Sequence, residues 1–388
     1  MKRNHGRTAA PAVMLSLAAL TLAALALPTG SAGAETAESP AHRSFKDWEV
    51  GCDNTRRCTA IGLQPEDGAG VTAFLRIERP ADALAAPTIG VVLAKEGLAP
   101  GDPITLLMDG APIDGVSSSR TVDALMSELA YPAVIPAASE VTPLIQALRS
   151  GKRLQLASVH GPEAEVSLDG AVAALLFIDD VQGRIDTVTA LIRKGERPPS
   201  AVPAPPPLPT LRPQKPADAV TVPAGLAGAV SKQQGDGSDC ERKEEPRAYA
   251  LGEGRTLVAL PCGDGAYNFA TEYFIVEGDD PKRARPAVLP QPGGPSSQRS
   301  SNTLFGSEVD SRTGQISFFS RGRGPGDCGA RGVYAWTGQE FAVVSFRAMD
   351  TCRGVPEPFW PVLWRSAPAP GDPDATPRPL TPGSLPGR

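Results

Sequence analysis

The sequence predicts an α+β fold: a β-sandwich-like N-terminal domain with packed helices, a proline-rich linker, and a mostly antiparallel β C-terminal domain. Three observations support this prediction. Short apolar runs separated by turn residues, typical of strands, recur through most of the 388 residues. Helical spacing of apolar residues occurs only in the later part of the first half. Residues 197–223 contain so many prolines that neither pattern continues there.

Residues 1–34 have the three parts of a secretory signal peptide: a basic start, an apolar run at 12–27, and small residues at 32–34 before Glu35. The run is shorter than the roughly 18–20 apolar residues that a membrane-spanning helix needs, and the sequence offers no longer one. An amphipathic start to a cytosolic domain is the less favoured alternative. We therefore expect a mature chain that is periplasmic or secreted and has no transmembrane segment.

The first domain, predicted at 35–196, begins with strands. Apolar residues alternate at 71–77, and further short apolar runs predict strands at 48–50, 89–93 and 104–108. Helical spacing then follows, with Thr142 and Pro143 as a favourable N-cap and first turn and Gly151 as the end.

A strand pair at 154–159 and 165–168 leads to two more predicted helices. The first would bury one face, made of Ala171, Ala174, Leu175 and Ile178. The second would start at Asp186 and end at Gly195, burying Val188, Leu191 and Ile192.

The linker at 197–223 could span up to about 80 Å as a polyproline II spacer. A long surface loop or a proline-recognition ligand are the alternatives. After it, the second domain, predicted at 224–366, contains short apolar or aromatic runs separated by turns, which indicate an antiparallel β-meander in a sandwich or barrel. Residues 367–388 are again rich in proline, and we expect a disordered tail.

All six cysteines lie after the expected cleavage site, so disulfides are the favoured interpretation in an oxidising compartment. The five-residue spacing between Cys52 and Cys58 does not suit C-x-x-C redox chemistry, and we expect a structural disulfide that closes a turn between two strands. The other four cysteines allow three pairings, of which we favour neighbours in sequence: Cys240 with Cys262 and Cys328 with Cys352. They form no tight pair of metal ligands, and only His42 and His160 remain after cleavage, so we expect no metal site and no cofactor.

Several motifs resemble known families. Phe45, Trp48, Val50, Cys52 and Cys58, with GVVLAKEGL, LLMDG and VSLDGAVAAL, are similar to the invasion-associated locus B proteins. Nearly the whole mature chain resembles exported bacterial proteins grouped as domain of unknown function 1176, most closely in LPCGDGAYN and DCGARGVYAWTGQEFAVVSFRAMDTCRG. The resemblance implies a Gram-negative, periplasmic setting and a cysteine framework. It implies no catalytic residues.

The loop RGRGPGDCGARG places Arg321, Arg323 and Arg331 among glycines. Guanidinium groups and exposed amides could bind a carboxylate or phosphate there. The favoured alternative is a long hairpin turn. Adjacent carboxylates at Asp179-Asp180 and at Asp279-Asp280 are expected to be solvated groups at a helix end and in a turn. The tryptophans at 336, 360 and 364 could line a sugar groove, but core anchors are favoured in a chain that is only 5% aromatic.

Two functions of different class remain. Cleavage of residues 1–34 would move the formal net charge from −5 to about −8, which gives no general attraction to nucleic acid. With no nucleophile elbow or phosphate loop in the sequence, we favour a non-enzymatic envelope protein that binds or scaffolds an envelope protein or glycan. The alternative is a hydrolase that cleaves an envelope glycan through two carboxyl groups about 5 to 9.5 Å apart in one cleft.

Overall fold

The computed structural model describes residues 40–66, 72–94, 101–124, 131–158, 161–215, 221–235, 244–264, 267–293 and 300–368. The expected signal peptide, Cys240, His160 and the expected tail beyond Pro368 lie outside these residues. In the described part, strands predominate over helices, which gives a β-rich α+β fold. None of the helices described there is long and apolar enough to cross a membrane.

The first half contains two antiparallel sheets. Its strands are β1 (Ala41–Phe45), β2 (Trp48–Cys52), β3 (Cys58–Leu63), β4 (Thr72–Arg79), β5 (Thr88–Ala94), β6 (Pro103–Met108), β7 (Ser119–Thr121), β8 (Asp123–Ala124), β9 (Pro132–Val134), β10 (Arg153–Ser158) and β11 (Gly161–Ser167). One sheet has the order β1-β2-β3-β4-β5-β9-β8 and the other β11-β10-β6-β7. The strands predicted at 48–50, 89–93 and 104–108 fall within these elements, and those predicted at 71–77, 154–159 and 165–168 overlap β4, β10 and β11.

Two helices pack against the sheets of the first half. Helix α1 (Val141–Leu148) begins one residue before Thr142, because a short 3₁₀ turn at Ala138–Glu140 leads directly into it. Helix α2 (Ala171–Val181) buries the predicted face. A single apolar core includes both helices and the inner faces of both sheets. The indole of Trp48 lies in this core and donates to the Ser167 carbonyl at 2.9 Å.

The helix predicted from Asp186 to Gly195 is wrong. This segment forms turns, and Thr187 bridges to Arg197 instead. Asp186 has a φ of 62°, which a right-handed helix does not allow. The carboxylate of Asp179 also accepts the backbone amides of Leu191 (2.8 Å) and Ile192 (2.9 Å), so a side chain replaces the helical hydrogen-bond partners.

Part of the proline-rich segment is attached to the body of the protein. Its short strand β12 (Thr210–Leu211) pairs in parallel with β25 (Ala367–Pro368), at the start of the predicted tail. The amide of Gln214 donates to the Trp336 carbonyl at 2.7 Å, and Val202 is buried. The described part of this segment therefore runs along the surface of the folded chain.

The described part of the second half contains two larger antiparallel sheets and one two-stranded sheet. Its strands are β13 (Arg247–Gly252), β14 (Arg255–Asp264), β15 (Phe269–Glu277), β16 (Arg285–Pro286), β17 (Leu289–Pro290), β18 (Ser300–Ser301), β19 (Thr303–Phe305), β20 (Ser307–Asp310), β21 (Gln315–Arg321), β22 (Gly329–Trp336), β23 (Phe341–Met349) and β24 (Val362–Arg365). The larger sheets have the orders β13-β14-β15-β16 and β20-β21-β22-β23-β24, one core contacts both, and β17 pairs with β18. Helix α3 (Leu226–Gln234), which no periodicity predicted, packs on the other face of β14 and β15.

A smaller core joins the two halves, and we call it the junction core. Apolar residues of the first sheet, among them Ile61, Leu63 and Phe74, pack there against Met349, Val355, Phe359 and Trp360 of the second half. The rings of Phe74 and Phe359 meet edge to face at 5.2 Å. That the halves fold independently stays a prediction, but they share this buried surface.

Candidate functional site

A groove opens where the first sheet of the second half meets β20, and its volume is about 210 Å³. Alternate residues of β15, namely Phe269, Thr271 and Tyr273, face it because side chains two apart in a strand share a side. Ala259 and Pro261 of β14 lie beside them in register with Tyr273 and Thr271. The sheet thus supplies an apolar and aromatic lining.

The floor of the groove is fixed by a hydrogen bond between its two walls. The phenol of Tyr273 donates to the Ser307 hydroxyl at 2.8 Å. Burial raises the pKa of Tyr273 to about 12, so the phenol remains a donor at neutral pH. A buried tyrosine with its hydroxyl bonded is a rigid platform for a ligand.

The rim of the groove is charged and partly aromatic. Glu244 and Arg247 form an exposed ion pair at 3.2 Å, and Glu308 is exposed on the opposite side. The ring of Phe269 is 56% exposed. Apolar and polar groups contribute about equally to the exposed lining of the groove, whereas most small-molecule pockets are predominantly apolar.

Disulfides brace strand ends in both halves. Cys52 and Cys58 are bonded and lie opposite each other in the β2–β3 hairpin, as the spacing predicted. Cys328 and Cys352 are also bonded and connect the ends of β22 and β23. Cys262 is disulfide-bonded, but its predicted partner Cys240 lies outside the described residues, so that pairing stays a prediction.

The three arginines of the predicted anion-binding loop, at 321, 323 and 331, do not converge on one site. Arg323 makes a two-pronged contact with Asp327, at 2.8 and 2.5 Å, and Asp327 also accepts the Gly354 amide. This pairing lowers the pKa of Asp327 and closes the loop as a turn. Arg321 and Arg331 instead lie over the ring of Phe319, 5.2 and 5.6 Å from its centre. The structure therefore separates Arg323 from the other two.

A buried polar pair joins the halves beside the junction core. His42 Nε2 lies 2.7 Å from Glu49 Oε1, and Glu49 accepts the backbone amides of Asp350 (2.7 Å) and Thr351 (3.0 Å). Asp350 Oδ2 lies 3.7 Å from His42 Nδ1, so the three side chains could approach a metal ion. The short contact between His42 and Glu49, and the amides on both Glu49 oxygens, instead describe a hydrogen-bonded clamp.

Comparison with known proteins places the chain in a family. Residues 42–367 match the family described as protein of unknown function DUF1176. The chain belongs to this family. It is 30% identical over 346 residues to the uncharacterized protein YpfG of Escherichia coli K12, covering 84% of this chain and 93% of YpfG. The crystal structure of invasion associated protein B from Bartonella henselae is matched at 16% identity and a TM-score of 0.27, over 37% of this chain and 98% of that one.

The other site residues considered from the sequence of this DUF1176 protein, the paired carboxylates and the tryptophans, include both buried and exposed side chains. Asp179 was expected to be solvated but is fully buried, whereas Asp180 is exposed. Asp279 and Asp280 lie in an exposed turn, as predicted. Trp336 and Trp360 are fully buried core residues, which rules them out as the lining of a surface sugar groove.

Sequence reasoning missed the residues that the fold brings together. Glu49 gave no signal because it alternates with apolar residues in β2 like any outward-facing carboxylate, yet it is fully buried. Arg347 and Glu357, whose side chains lie 3.4 Å apart, gave no signal because isolated charges in strands and turns are common. The groove could have been suspected only from the aromatic residues clustered at 267–273.

Proposed function

We propose that this protein is an exported, non-enzymatic component of the bacterial envelope that binds another envelope component in the groove of its second half. The observation that supports the proposal is the groove itself, with its fixed aromatic floor and charged rim. Its volume is below the roughly 300–1,000 Å³ of a small-molecule pocket, so it suits one unit of a glycan or one side chain of a partner. The disulfides support an oxidising compartment such as the periplasm.

Removal of one exposed ring tests this proposal. Phe269→Ala removes a groove side chain that is largely exposed, so the fold should tolerate it. Phe305→Ala is the matched control, because Phe305 is similarly exposed but does not line the groove. Pull-downs from an envelope extract should recover the same component with the natural protein and with Phe305→Ala, and lose it with Phe269→Ala. Equal recovery with both variants would reject the groove as the binding site.

The hydrolase alternative has one specific observation in its favour. Two carboxylates, Glu244 and Glu308, line the same groove, and paired carboxyl groups in one cleft are what glycoside hydrolysis requires. Incubation with purified envelope glycan distinguishes the two functions. Time-dependent release of soluble fragments that Glu308→Gln abolishes would establish hydrolysis, whereas retention of intact glycan by both proteins supports binding.

A further inference from the structure

One side of the groove is bordered by the unpaired edge of strand β20. This strand is the first of the sheet β20-β21-β22-β23-β24 and, of the strands described in the chain, pairs with β21 alone. Four consecutive residues, 306–309, line the groove. Side chains of a strand point alternately to opposite faces, so a run of four consecutive lining residues indicates that the groove meets the backbone edge of β20.

The hydrogen bonds around β20 indicate which of its backbone groups face the groove. The Gly306 carbonyl accepts the Phe319 amide of β21 at 3.1 Å, so Gly306 faces β21. Because successive residues of a strand direct their amide and carbonyl to opposite sides, Glu308 also faces β21, and Ser307 and Val309 face away from it. Within the described part of the chain, no other strand or loop bonds the backbone of Ser307 or Val309. The edge therefore offers two donors and two acceptors beside the groove.

The side chains along this edge have two distinct faces. Ser307 and Val309 lie on the side of the groove floor, where the Ser307 hydroxyl accepts the phenol of Tyr273 at 2.8 Å and Val309 packs on the core of the second half. Glu308 lies between them on the opposite face of the strand, at the rim, and is exposed. A strand added to this edge would place apolar side chains over the groove and a basic side chain beside Glu308.

We propose that the groove binds an extended peptide segment of a partner protein, which adds as a further strand to the free edge of β20. The segment would pair its backbone with Ser307 and Val309, lay an apolar side chain over Tyr273, and place a basic side chain opposite Glu308. Strand addition requires a free edge and a place for alternate side chains, and the groove supplies both. The inference rests on the function proposed for the groove and specifies its ligand as a peptide strand.

Charge disfavours a second copy of this chain as the added strand. Antiparallel pairing of two β20 strands through Ser307 and Val309 would set Glu308 of one copy opposite Gly306, Glu308 or Asp310 of the other. Two of these three registers place carboxylates across from each other, and like charges directly opposite in a sheet are destabilising. A basic segment of a different protein therefore fits this edge better.

Calorimetric titration with a synthetic heptapeptide of alternating valine and lysine, blocked at both ends, tests the strand from the ligand side. The natural protein should bind this lysine peptide, and should bind its glutamate counterpart several-fold more weakly because that peptide meets Glu308 with like charge. A version of the lysine peptide with methylated backbone nitrogens cannot donate to the carbonyls of Ser307 and Val309. Its affinity should be about tenfold lower.

Two substitutions at Val309 test the strand from the protein side. Val309→Pro and Val309→Ala both remove the packing of the valine side chain, but only proline also removes the backbone N–H. That N–H faces away from β21, so the ladder between β20 and β21 is kept. The lysine peptide should bind Val309→Pro about tenfold more weakly than Val309→Ala. Near-UV circular dichroism verifies folding, and the methylated peptide tests the same hydrogen bonds if Val309→Pro does not fold.

Three results would overturn the peptide strand. The first is no binding of the lysine peptide by the natural protein, and the second is equal affinity of Val309→Pro and Val309→Ala. The third is a dimer of the natural protein in sedimentation that Val309→Pro abolishes, which would assign the edge to a second copy. Failure of the strand is distinguishable from failure of the groove: if Val309→Pro still recovers the envelope component that Phe269→Ala loses, the strand is rejected and the groove remains the binding site.

Discussion

The protonation states of His42 and Glu49 affect the stability of the folded protein. Burial by itself lowers the pKa of His42, but the hydrogen bond to Glu49 and the charges of Glu49 and Asp350 outweigh it, so the pKa is raised above 6.5. Burial raises the pKa of Glu49, and the bond to His42 with the amides of Asp350 and Thr351 lowers it below 4.5 overall. Both groups are charged in the folded protein between these values.

This pair predicts a pH window for stability. The contribution of His42 is complete below pH 6.5 and is lost as pH rises through its raised folded pKa. The contribution of Glu49 is present above pH 4.5 and is lost as pH falls through its lowered folded pKa. We therefore expect the free energy of unfolding, measured with urea, to be greatest between these limits and to fall on the alkaline side.

His42→Gln should abolish the fall in the free energy of unfolding that we expect on the alkaline side. At pH 6 it should lower the free energy of unfolding by about 3 kcal/mol, because it leaves the buried carboxylate of Glu49 without its charged partner. Lys46→Gln is the control, since Lys46 is 69% exposed and its ion pair with Asp169 should contribute little. An unchanged alkaline profile in His42→Gln would show that the clamp does not govern the pH dependence.

A second single residue, Arg184, holds two loops of the first half together. It is fully buried and donates to Gln182, Thr189 and the carbonyls of residues 80–83. Lysine cannot reproduce this planar set of donors, so Arg184→Lys should cost about 3 kcal/mol in urea unfolding. Arg193→Lys, at an arginine that is 63% exposed, should change stability by less than about 0.5 kcal/mol. Similar values for the two variants would contradict this role.

At the scale of elements, the β2–β3 hairpin is closed by side-chain chemistry as well as by its disulfide. Oδ1 of Asp53 accepts the amide and hydroxyl of Thr55 and the amide of Arg57. Arg56 has a φ of 60° within this turn. The sequence predicted the hairpin because turn-forming residues lie between two strand-like runs, and local signals of this kind act without the rest of the fold.

Peptide mapping tests this hairpin directly. Trypsin cleaves after Arg56 and Arg57, inside the ring of Cys52 and Cys58, so the unreduced peptides 47–56 and 58–76 should remain covalently joined. Replacement of both cysteines by alanine should cost about 2 to 2.5 kcal/mol, less than the roughly 3 kcal/mol for Cys328 and Cys352, whose ring is longer. Recovery of the two peptides separately, with alkylated thiols, would show that Cys52 and Cys58 are not bonded to each other.

The failed helix at 186–195 shows where local periodicity misleads. Apolar residues recur at helical spacing, yet Val188 is 48% exposed while Leu191 is buried. The deciding contacts come from Asp179 at the end of α2 and from Arg184, whose carbonyl partners lie about a hundred residues away in the loop between β4 and β5. A buried charge that needs hydrogen bonds outweighs a modest helical preference.

At the scale of the whole molecule, the junction core decides how the halves behave after cleavage. We expect limited proteolysis to cut first within 197–223 and to leave two resistant fragments. Because Phe74, Phe359 and Trp360 are buried between the halves, the fragments should co-elute in native size-exclusion chromatography. Trp360→Ala should weaken that association, by about 3 to 5 kcal/mol if its cost resembles that of a core deletion.

Two results would contradict this expectation. First cleavage inside either half, with 197–223 protected, would reject the division into independently folding domains. Fragments that separate under native conditions would show that the junction core is too weak to hold them. Phe305→Ala serves as the control for Trp360→Ala, because its ring is exposed and lies outside the junction core.

The sequence by itself determined the β-rich class, the strands and hairpin turns of both halves, helices near 142 and 171, and the pairing of Cys52 with Cys58. Each of these follows from residues close together in the chain, through alternation, helical spacing or turn chemistry. Only the tertiary structure decided the junction core, the groove and which arginines share a carboxylate. It also decided that Glu49 binds the backbone amides of Asp350 and Thr351, which are about 300 positions further along the chain. The partner of a buried charge depends on which strands the whole fold brings together, and no local pattern encodes that choice.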